Sequence, residues 1–410
     1  MLLLRAYKTQ LDPNNVLRTQ LLRHAGAKRW AFNWGLRRKI EEVEKTGKSP
    51  SATALHKELN GLKKAPPEED GVSWMYEVSK CAPQDALRDL DQAFANFFRR
   101  LKTGEKPGFP RFKSKKKGSG SFRLTGAIRV FERHIQLPRL GRLRLKERGY
   151  LPFDNPKVRI LSATVREQAG LWYVSLQVEE VLPREPSPET GGVDVGIRAL
   201  ATLSDGTSFG NPRALAKGER KLKRLHRALS RKKKGSKNRK KALRKLTRQH
   251  ARIAHVRENA LHAISAAISK RFGVVGAEDL NVSGMGRNRC LSKALHDGAL
   301  GELLRQIRYK VEWAGGRVVL ANLFYPSSKT CSTCGQVKAE LKLDERTYRC
   351  DACGLVLDRD HNAARNLKNV AARGTETQNA CGGGRLQAGN SRCPSVKQEP
   401  NTFSGNVPNG

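Results

Sequence analysis

The sequence predicts a multidomain α+β protein: a helical lobe, a small β-barrel, and an α/β core with a metal-binding ribbon inserted near its end. Three observations carry this prediction. Apolar residues recur at helical spacing from about residue 16 to 104, then alternate at strand spacing from 121 to 182. Beyond 190, strand and helix patterns alternate, as in layered α/β folds. Four cysteines at 331, 334, 350 and 353 form two CxxC pairs separated by 15 residues.

A chain of 410 residues has room for about two to four such units. Its formal net charge is +41, from 79 Lys and Arg against 38 Asp and Glu. An excess of this size repels itself and calls for a polyanionic partner, nucleic acid first. An anionic membrane is the rival, but no stretch approaches the ~20 apolar residues of a span. The opening "MLLLRAYKTQ" has too short an apolar run for a signal peptide. A soluble intracellular protein is expected, and in a reducing compartment CxxC pairs mean metal before disulfide. Cys81, Cys290, Cys381 and Cys393 show no paired spacing and read as free thiols.

Residues 1–10 read as a short strand, with Asp12 and Asn14-Asn15 as caps for a helix starting near Val16. Leu17, Leu21 and Leu22, and later Leu87, Leu90, Phe94 and Phe97-Phe98, mark helical faces. "KAPPEEDG" is expected to split this lobe into two helical parts. "GEKPGFPRFKSKKKGSGSF" is a loop in which Phe109 and Phe112 interleave with Arg111, Lys113 and Lys115, a mixture suited to base stacking and phosphate neutralisation. The plainer reading is a linker with two anchoring aromatics. "RVFERHIQLPRLGRLRL" alternates as strands, and "RILSATVREQAGLWYVSLQVEE" reads as a hairpin across Gln168-Ala169-Gly170. Short twisted strands suggest the barrel, and "LPREPSPET" a linker.

"GGVDVGIRALATLSDGTSF" reads as two antiparallel strands turning at Asp205-Gly206. Residues 213–257 carry 20 Lys and Arg against one acid, Glu219. Leu222, Leu225 and Leu229 form one stripe and Leu243, Leu246 and Ile253 another, giving a basic helical hairpin turning at "KKKGSKN". Lys232, Lys233, Lys234 and Arg239 are its candidates for phosphate contact. "AISKRFGVVGAEDL" is helix and then buried strand, "LGELLRQIRYKVEWAG" an amphipathic helix, and "RVVLANLF" a strand. Beyond 372 the chain is rich in Gly, Ser, Asn and Pro and is expected to be disordered.

Three acids stand out. Asp194 lies on a strand between Val193 and Val195, with Gly192 and Gly196 leaving room for a close approach. An ionised carboxylate in a buried strand needs a partner or a metal. Glu278 ends the strand "VVGAE", the end at which open α/β sheets bind ligands. Asp360 opens the helix "HNAARNL". Singly each has an ordinary explanation: a strand-edge Asp, a solvated acid, an N-cap. Together they follow the order of an RNase H-like nuclease core, whose carboxylates hold Mg²⁺ for phosphoryl displacement. The C-x2-C-x15-C-x2-C pattern, with Gly335 and Gly354 after each pair, is a zinc ribbon. Four thiolates leave no open position, so that zinc is structural.

"GVDVGIR", "GAEDLNV", "YPSSKTCSTCG" and "CDACGLVLDRDHNAARNL" resemble the RuvC-like and zinc motifs of the TnpB family, transposon-encoded RNA-guided DNA endonucleases related to compact type V CRISPR nucleases. The resemblance spans about residues 1–372, including "AYKTQLDPN", "GFPRFKSKKKG" and the basic hairpin. It implies that Asp194, Glu278 and Asp360 are catalytic acids binding two Mg²⁺ ions, with Asp358 and Arg359 beside them. It implies a wedge-like barrel at 1–10 and 105–185, a recognition lobe at 11–104, a RuvC-like domain at 190–330 and 355–372, a zinc ribbon at 331–354 and a tail at 373–410. "EVSKCAPQDAL" resembles the helix facing the target-adjacent motif, with Lys80 and Gln84 as contact candidates. Pro83 must then sit near that helix's start. The implied partners are a guide RNA from the transposon end and target double-stranded DNA, with one protein per RNA and no membrane, in a prokaryotic cytoplasm at the nucleoid. A guide-independent transposase, a non-cleaving regulator and a plain zinc-ribbon DNA-binding protein remain as alternatives.

Overall fold

The structure is a computed structural model that describes residues 2–66, 71–115, 120–181, 185–342 and 344–373. The expected disordered tail falls, but for Arg373, outside these residues. Strand β1 (Leu2–Leu11) leads into helix α1 (Asn15–Thr46), whose first turn is capped by the Asn14 side chain accepting the Leu17 amide at 2.9 Å. Gly47 ends α1 in the left-handed conformation (φ 71°), and Ser51 caps α2 (Ala52–Lys64). The lobe therefore has a break beyond the one expected at "KAPPEEDG". After a 3₁₀ turn at Ser73–Glu77 comes α3 (Cys81–Lys102). Pro83 is the third residue of α3, where its missing N–H removes no helical bond. These helices share a core of Phe32, Leu36, Leu55, Leu59, Leu87 and Leu90.

Next come β2 (Ser121–Leu124), β3 (Arg129–Val130), β4 (His134–Leu137), β5 (Gly141–Arg144), β6 (Val158–Gln168) and β7 (Leu171–Val181). The β6–β7 hairpin turns at Ala169 (φ 56°) and Gly170 (φ 77°), both left-handed, as a two-residue turn matched to strand twist requires. No closed barrel forms among the described residues. The strands make two sheets, β1-β7-β6-β2 and β3-β4-β5. They wrap one core containing Phe122, Ile135, Leu143 and Trp172, and meet at a single bridge, Leu11 to Leu145. β3 to β5, at two to four residues each, are too short to carry the ladder round.

The third sheet has the order β10-β9-β8-β11-β12. β8 (Thr190–Asp194), β9 (Ala199–Leu203) and β10 (Ser208–Gly210) are antiparallel. Three strands thus replace the expected two, because the chain already turns at Gly196–Arg198; Asp205-Gly206 joins β9 to β10. Helices α4 (Ala214–Ser230) and α5 (Lys237–Arg271) follow and pack through Leu222, Leu246 and Ile253. Leu243 is off this seam and half exposed. β11 (Val274–Glu278) then returns parallel to β8. After α6 (Val282–Met285), α7 (Arg289–Gly298) and α8 (Leu300–Trp313), β12 (Arg317–Ala321) adds parallel to β11. Helix α7 is an addition to the elements expected from the sequence. Its buried Asp297 accepts the Leu215 and Ala216 amides and Arg257, fixing the start of α4. The hairpin of β13 (Thr347–Arg349) and β14 (Val356–Asp358) leads into α9 (Arg359–Ala372).

One face of this sheet packs on α5 and α8 through Val193, Val275, Ile264 and Ile307. Alternation puts Gly192 and Gly276 on the other face, and they are register partners. A β-carbon on Gly192 would lie 1.9 Å from the Ala364 carbonyl oxygen, and one on Gly276 2.0 Å from that of Leu367. The close approach for which Gly192 leaves room is therefore made by the α9 backbone. Gly192→Ala is expected to push α9 off the sheet, lowering the melting temperature by about 5 °C or more. Gly196→Ala, facing only the Ala199 carbonyl oxygen at 3.2 Å, is expected to cost far less. Parallel thermal melts test the pair, and equal losses would place α9 elsewhere.

Candidate metal centres and nucleic-acid surfaces

The close packing of α9 decides where its first turn falls. Ala277 pairs with Val193, so the next residues, Glu278 and Asp194, end adjacent parallel strands at one level. Both lie two residues beyond the glycines, on the α9 face, about 6.6 Å along the strands. Asp360 lies four residues before Ala364, about 6 Å along the helix. The two rises match, and Asp360 comes to the strand ends that carry Asp194 and Glu278.

Asp194 senses both neighbours. Burial, then the charges of Glu278 and Asp360, push its carboxyl up to about 8, with Asp358 adding and Arg359 opposing. Three acids with this little positive charge suit a divalent cation held by oxygen donors. The surroundings hold the acids in place. Ser327 donates its hydroxyl to Glu278 Oε1. Arg359 Nε lies 3.4 Å from Asp360 Oδ1. Asp358 is the N-cap of α9, accepting the amides of Asp360 and His361 at 3.0 and 3.1 Å. Asp360 sits in the first turn, where a negative charge is favoured by the helix dipole.

Cys331, Cys334, Cys350 and Cys353 are, among the described residues, the one group of three or more potential ligands whose donor atoms all lie within 4.8 Å. The three acids do not form such a group. The two CxxC turns are built alike. The Cys331 amide donates to the Gln336 carbonyl and Gly335 to Cys331; Cys350 donates to Leu355 and Gly354 to Cys350. Gly335 (φ 80°) and Gly354 (φ 73°) take the left-handed conformation this turn needs. Cys331 and Cys350 are buried around Tyr348, while Cys334 and Cys353 are exposed.

The link between these centres is not apparent in the sequence. Asn362 and Asn366, buried one turn apart on α9, both reach the segment entering the first CxxC turn. Asn362 accepts the Ser332 amide at 3.0 Å and donates to the Thr330 carbonyl at 2.7 Å. Asn366 donates to the carbonyls of Ser327 and Thr330 at 2.8 and 2.6 Å. The Asn-x3-Asn spacing in "HNAARN" is the one local hint.

This combination of folds and motifs has relatives. Family models match at residues 173–289 ("Probable transposase", the IS605 OrfB family), 301–367 ("Cas12f1-like, TNB domain") and 1–48 ("Helix-turn-helix domain"). A Streptomyces pristinaespiralis protein named "Putative RNA-guided DNA endonuclease" is 36% identical over 98% of both chains. The chain belongs to the TnpB family of IS605 elements. Among other TnpB relatives, "Putative RNA-guided DNA endonuclease InsQ" of Escherichia coli (strain K12) is 33% identical over 89% of this chain and 91% of its own. A solved structure, CasPhi-2 (Cas12j) bound to crRNA, aligns over 90% of this chain and 98% of that one with a TM-score of 0.41 and 11% identity.

On this TnpB chain the nucleic-acid candidates fall into two groups. Lys80, at the N-cap of α3, and Lys232, Lys233 and Lys234, at the α4–α5 turn, are exposed. Gln84 is one turn into α3 and half buried, and Arg111 is exposed in the loop. The rest have internal partners. Phe109 meets Phe94 and Phe97 edge to face, each at 5.5 Å. Lys113 Nζ lies 3.6 Å from the Phe32 ring centre, and burial pulls its pKa down. Arg239 donates to the carbonyls of Leu229 and Lys232, closing the hairpin turn. A further surface was invisible in the sequence. A cleft of about 490 Å³ between β1, β7, α5 and α8 is lined by Arg5, Lys8, Tyr173, His255, Lys310 and Trp313, among others. Arg5 lies over Tyr7 and Trp313, and Lys8 over Tyr173. No helix among the described residues is long and apolar enough to cross a membrane.

Proposed function

We propose that this protein is an RNA-guided DNA endonuclease of an IS605 element, cutting both strands of double-stranded DNA beside a short flanking motif. The observation that carries the active centre is the convergence of Asp194, Glu278 and Asp360 at one end of the β8–β11 pair, with Asp194 pushed up to about 8. The order β10-β9-β8-β11-β12, three antiparallel strands followed by two parallel ones, supports an RNase H-like core. Divalent ions held there would supply an activated water and neutralise charge on the scissile phosphate. The chain's own groups prepare the site: Ser327 orients Glu278, and the Asp358 cap fixes the turn that presents Asp360. Asp358 and Arg359 thus act by positioning.

The four cysteines would hold one structural zinc ion. The basic α4–α5 hairpin and the aromatic cleft would bind guide RNA, and the α1–α3 lobe, through Lys80 and Gln84, would face the flanking motif. Residues 1–10 with 105–185, 11–104, 190–330 with 355–372, and 331–354 would be the working divisions of the chain.

Plasmid cleavage by the purified complex tests this reading. Cutting should require Mg²⁺ and stop with EDTA. It should also fall to background after RNase treatment of the preparation, and return with the copurified RNA. Undiminished cutting after RNase would instead make this a guide-independent transposase.

A further inference from the structure

The most exposed large apolar side chain among the described residues stands beside the acid site. Phe324 is 87% exposed, and its neighbour Leu323 52%. A lone exposed phenyl group is ordinary, but this one has an unusual position. Ala321, at the end of β12, is the register partner of Glu278. Ser327 hydrogen-bonds the Glu278 carboxylate. The segment between them leaves the sheet beside Glu278 and comes back to the same residue. Phe324 is at its crest, three residues from each anchor and so within about 10 Å of both along the chain.

The crest has a built turn. The Asn322 side chain accepts the Phe324 amide at 3.0 Å, its carbonyl accepts Tyr325 N at 2.8 Å, and the Tyr325 carbonyl accepts Ser327 N at 2.8 Å. The ring is thus presented from a hydrogen-bonded frame tied to a proposed catalytic carboxylate. Several other exposed aromatics rest on something: Phe98 and Phe109 on Phe94 and Phe97, Trp74 on Trp30, Tyr150 on Tyr7, Phe131 under Arg142. No ring or cation–π contact involves Phe324 among the described residues. Tyr76, Phe112 and Phe153 share the lack of a ring partner there but are less exposed than Phe324.

We infer that Phe324 is a stacking platform for an unpaired DNA base, seating the nucleotide next to the scissile phosphate at the acid site. The occupant follows from the surroundings. A chain of net charge +41 brings a polyanion to this face. A single acid site that cuts both strands must take each as a single strand, whose bases are free to stack. Aromatic stacking is indifferent to base identity, as cleavage at guide-chosen sequences requires. Phe324 then contributes position to the substrate, and Leu323 extends the apolar edge. This inference rests on the endonuclease reading and adds a substrate contact to it.

The test compares Phe324→Ala, Phe324→Tyr and Phe324→Leu as full RNA complexes. Phe324→Ala should cut about 10- to 100-fold more slowly, the loss of one base stack. Its guide RNA content and binding of intact target should match wild type. Phe324→Tyr should stay within about threefold of wild type, and Phe324→Leu should resemble Phe324→Ala. A 2-aminopurine single-stranded deoxyoligonucleotide, added in EDTA, should be quenched more by wild type than by Phe324→Ala. Wild-type cutting by Phe324→Ala, full rescue by leucine, or quenching equal in wild type and Phe324→Ala would overturn the inference and leave the endonuclease reading intact. If the wild-type complex does not cut, the endonuclease reading fails, and the fluorescence difference alone decides whether Phe324 stacks on DNA.

Discussion

Asp194→Asn is expected to abolish DNA cleavage and, in metal-free protein, to raise the melting temperature. The two effects have one cause. Burial and the charges of Glu278 and Asp360 raise the Asp194 pKa from the ordinary carboxylate range to about 8. The folded state thus holds this proton more tightly than the unfolded chain does, near 3.9. The sign follows: the stability contribution is complete below about pH 4 and is lost as pH rises towards 8. Asparagine has the same shape and no charge to repel. In EDTA at pH 8 the variant should therefore melt several degrees above wild type, with the gap closing towards pH 4. Excess Mg²⁺ should reverse the order, because only wild type gains the full binding energy. Cleavage should fall by at least ~10³-fold, the several kcal/mol that a metal ligand supplies to phosphoryl transfer. Melts at both pH values, with and without metal, and a plasmid assay decide it. Near-wild-type cutting would remove Asp194 from the site, and matching melting curves in EDTA at pH 8 would mean the acids do not repel.

What the sequence revealed, and what it hid, divides along the range of the interactions. The β6–β7 hairpin was readable because alternation and the Ala169-Gly170 turn are local. The CxxC turns were readable because their geometry is fixed within five residues of each cysteine. The three acids were readable only as an order along the chain. The meeting of Asp360 with Asp194 depends on α9 lying directly on Gly192 and Gly276, and that contact is made by helix backbone, which carries no side-chain signal. The early turn at Gly196–Arg198 was missed because apolar residues continue through Val195 and Ile197 without a polar turn cluster. The short strands were legible as strands, but whether they close into a barrel depends on pairing between distant edges.

Among the functional candidates, Phe109, Lys113 and Arg239 show the same limit. Composition marks a basic or aromatic residue as able to meet nucleic acid. It does not say that Phe94 and Phe97, Phe32, or the Leu229 and Lys232 carbonyls already hold that side chain. Asn362 and Asn366 fail in the opposite way. Asparagine is usually exposed, so nothing local marks these two as buried and bonded to a segment more than 30 residues earlier.

Through those two asparagines, loss of a zinc ion held by the four cysteines would reach the acid site. Cys350→Ser should release the metal and lower cleavage by at least about tenfold, although Cys350 is no part of the acid centre. The ribbon cannot hold itself together: its core is Cys331, Tyr348 and Cys350, edged by Leu341 and Leu355. A core so small depends on its metal. When it opens, the Thr330 carbonyl and the Ser332 amide are no longer fixed. Asn362 and Asn366 are then left with buried amides short of partners, at roughly 1–3 kcal/mol each. Both sit on α9, two and six residues after Asp360. The Ser327 carbonyl, bonded to Asn366, belongs to the residue whose hydroxyl orients Glu278. The disturbance thus arrives at two of the three acids. Zinc content, a thermal melt and plasmid cleavage, measured on one preparation, test the chain of effects. Asn366→Ala, which leaves every thiol in place, should keep its zinc and still lose part of the cleavage rate. Full activity in Cys350→Ser after zinc loss would show that the ribbon does not brace the acid site, and full activity in Asn366→Ala would show that α9 is not the route.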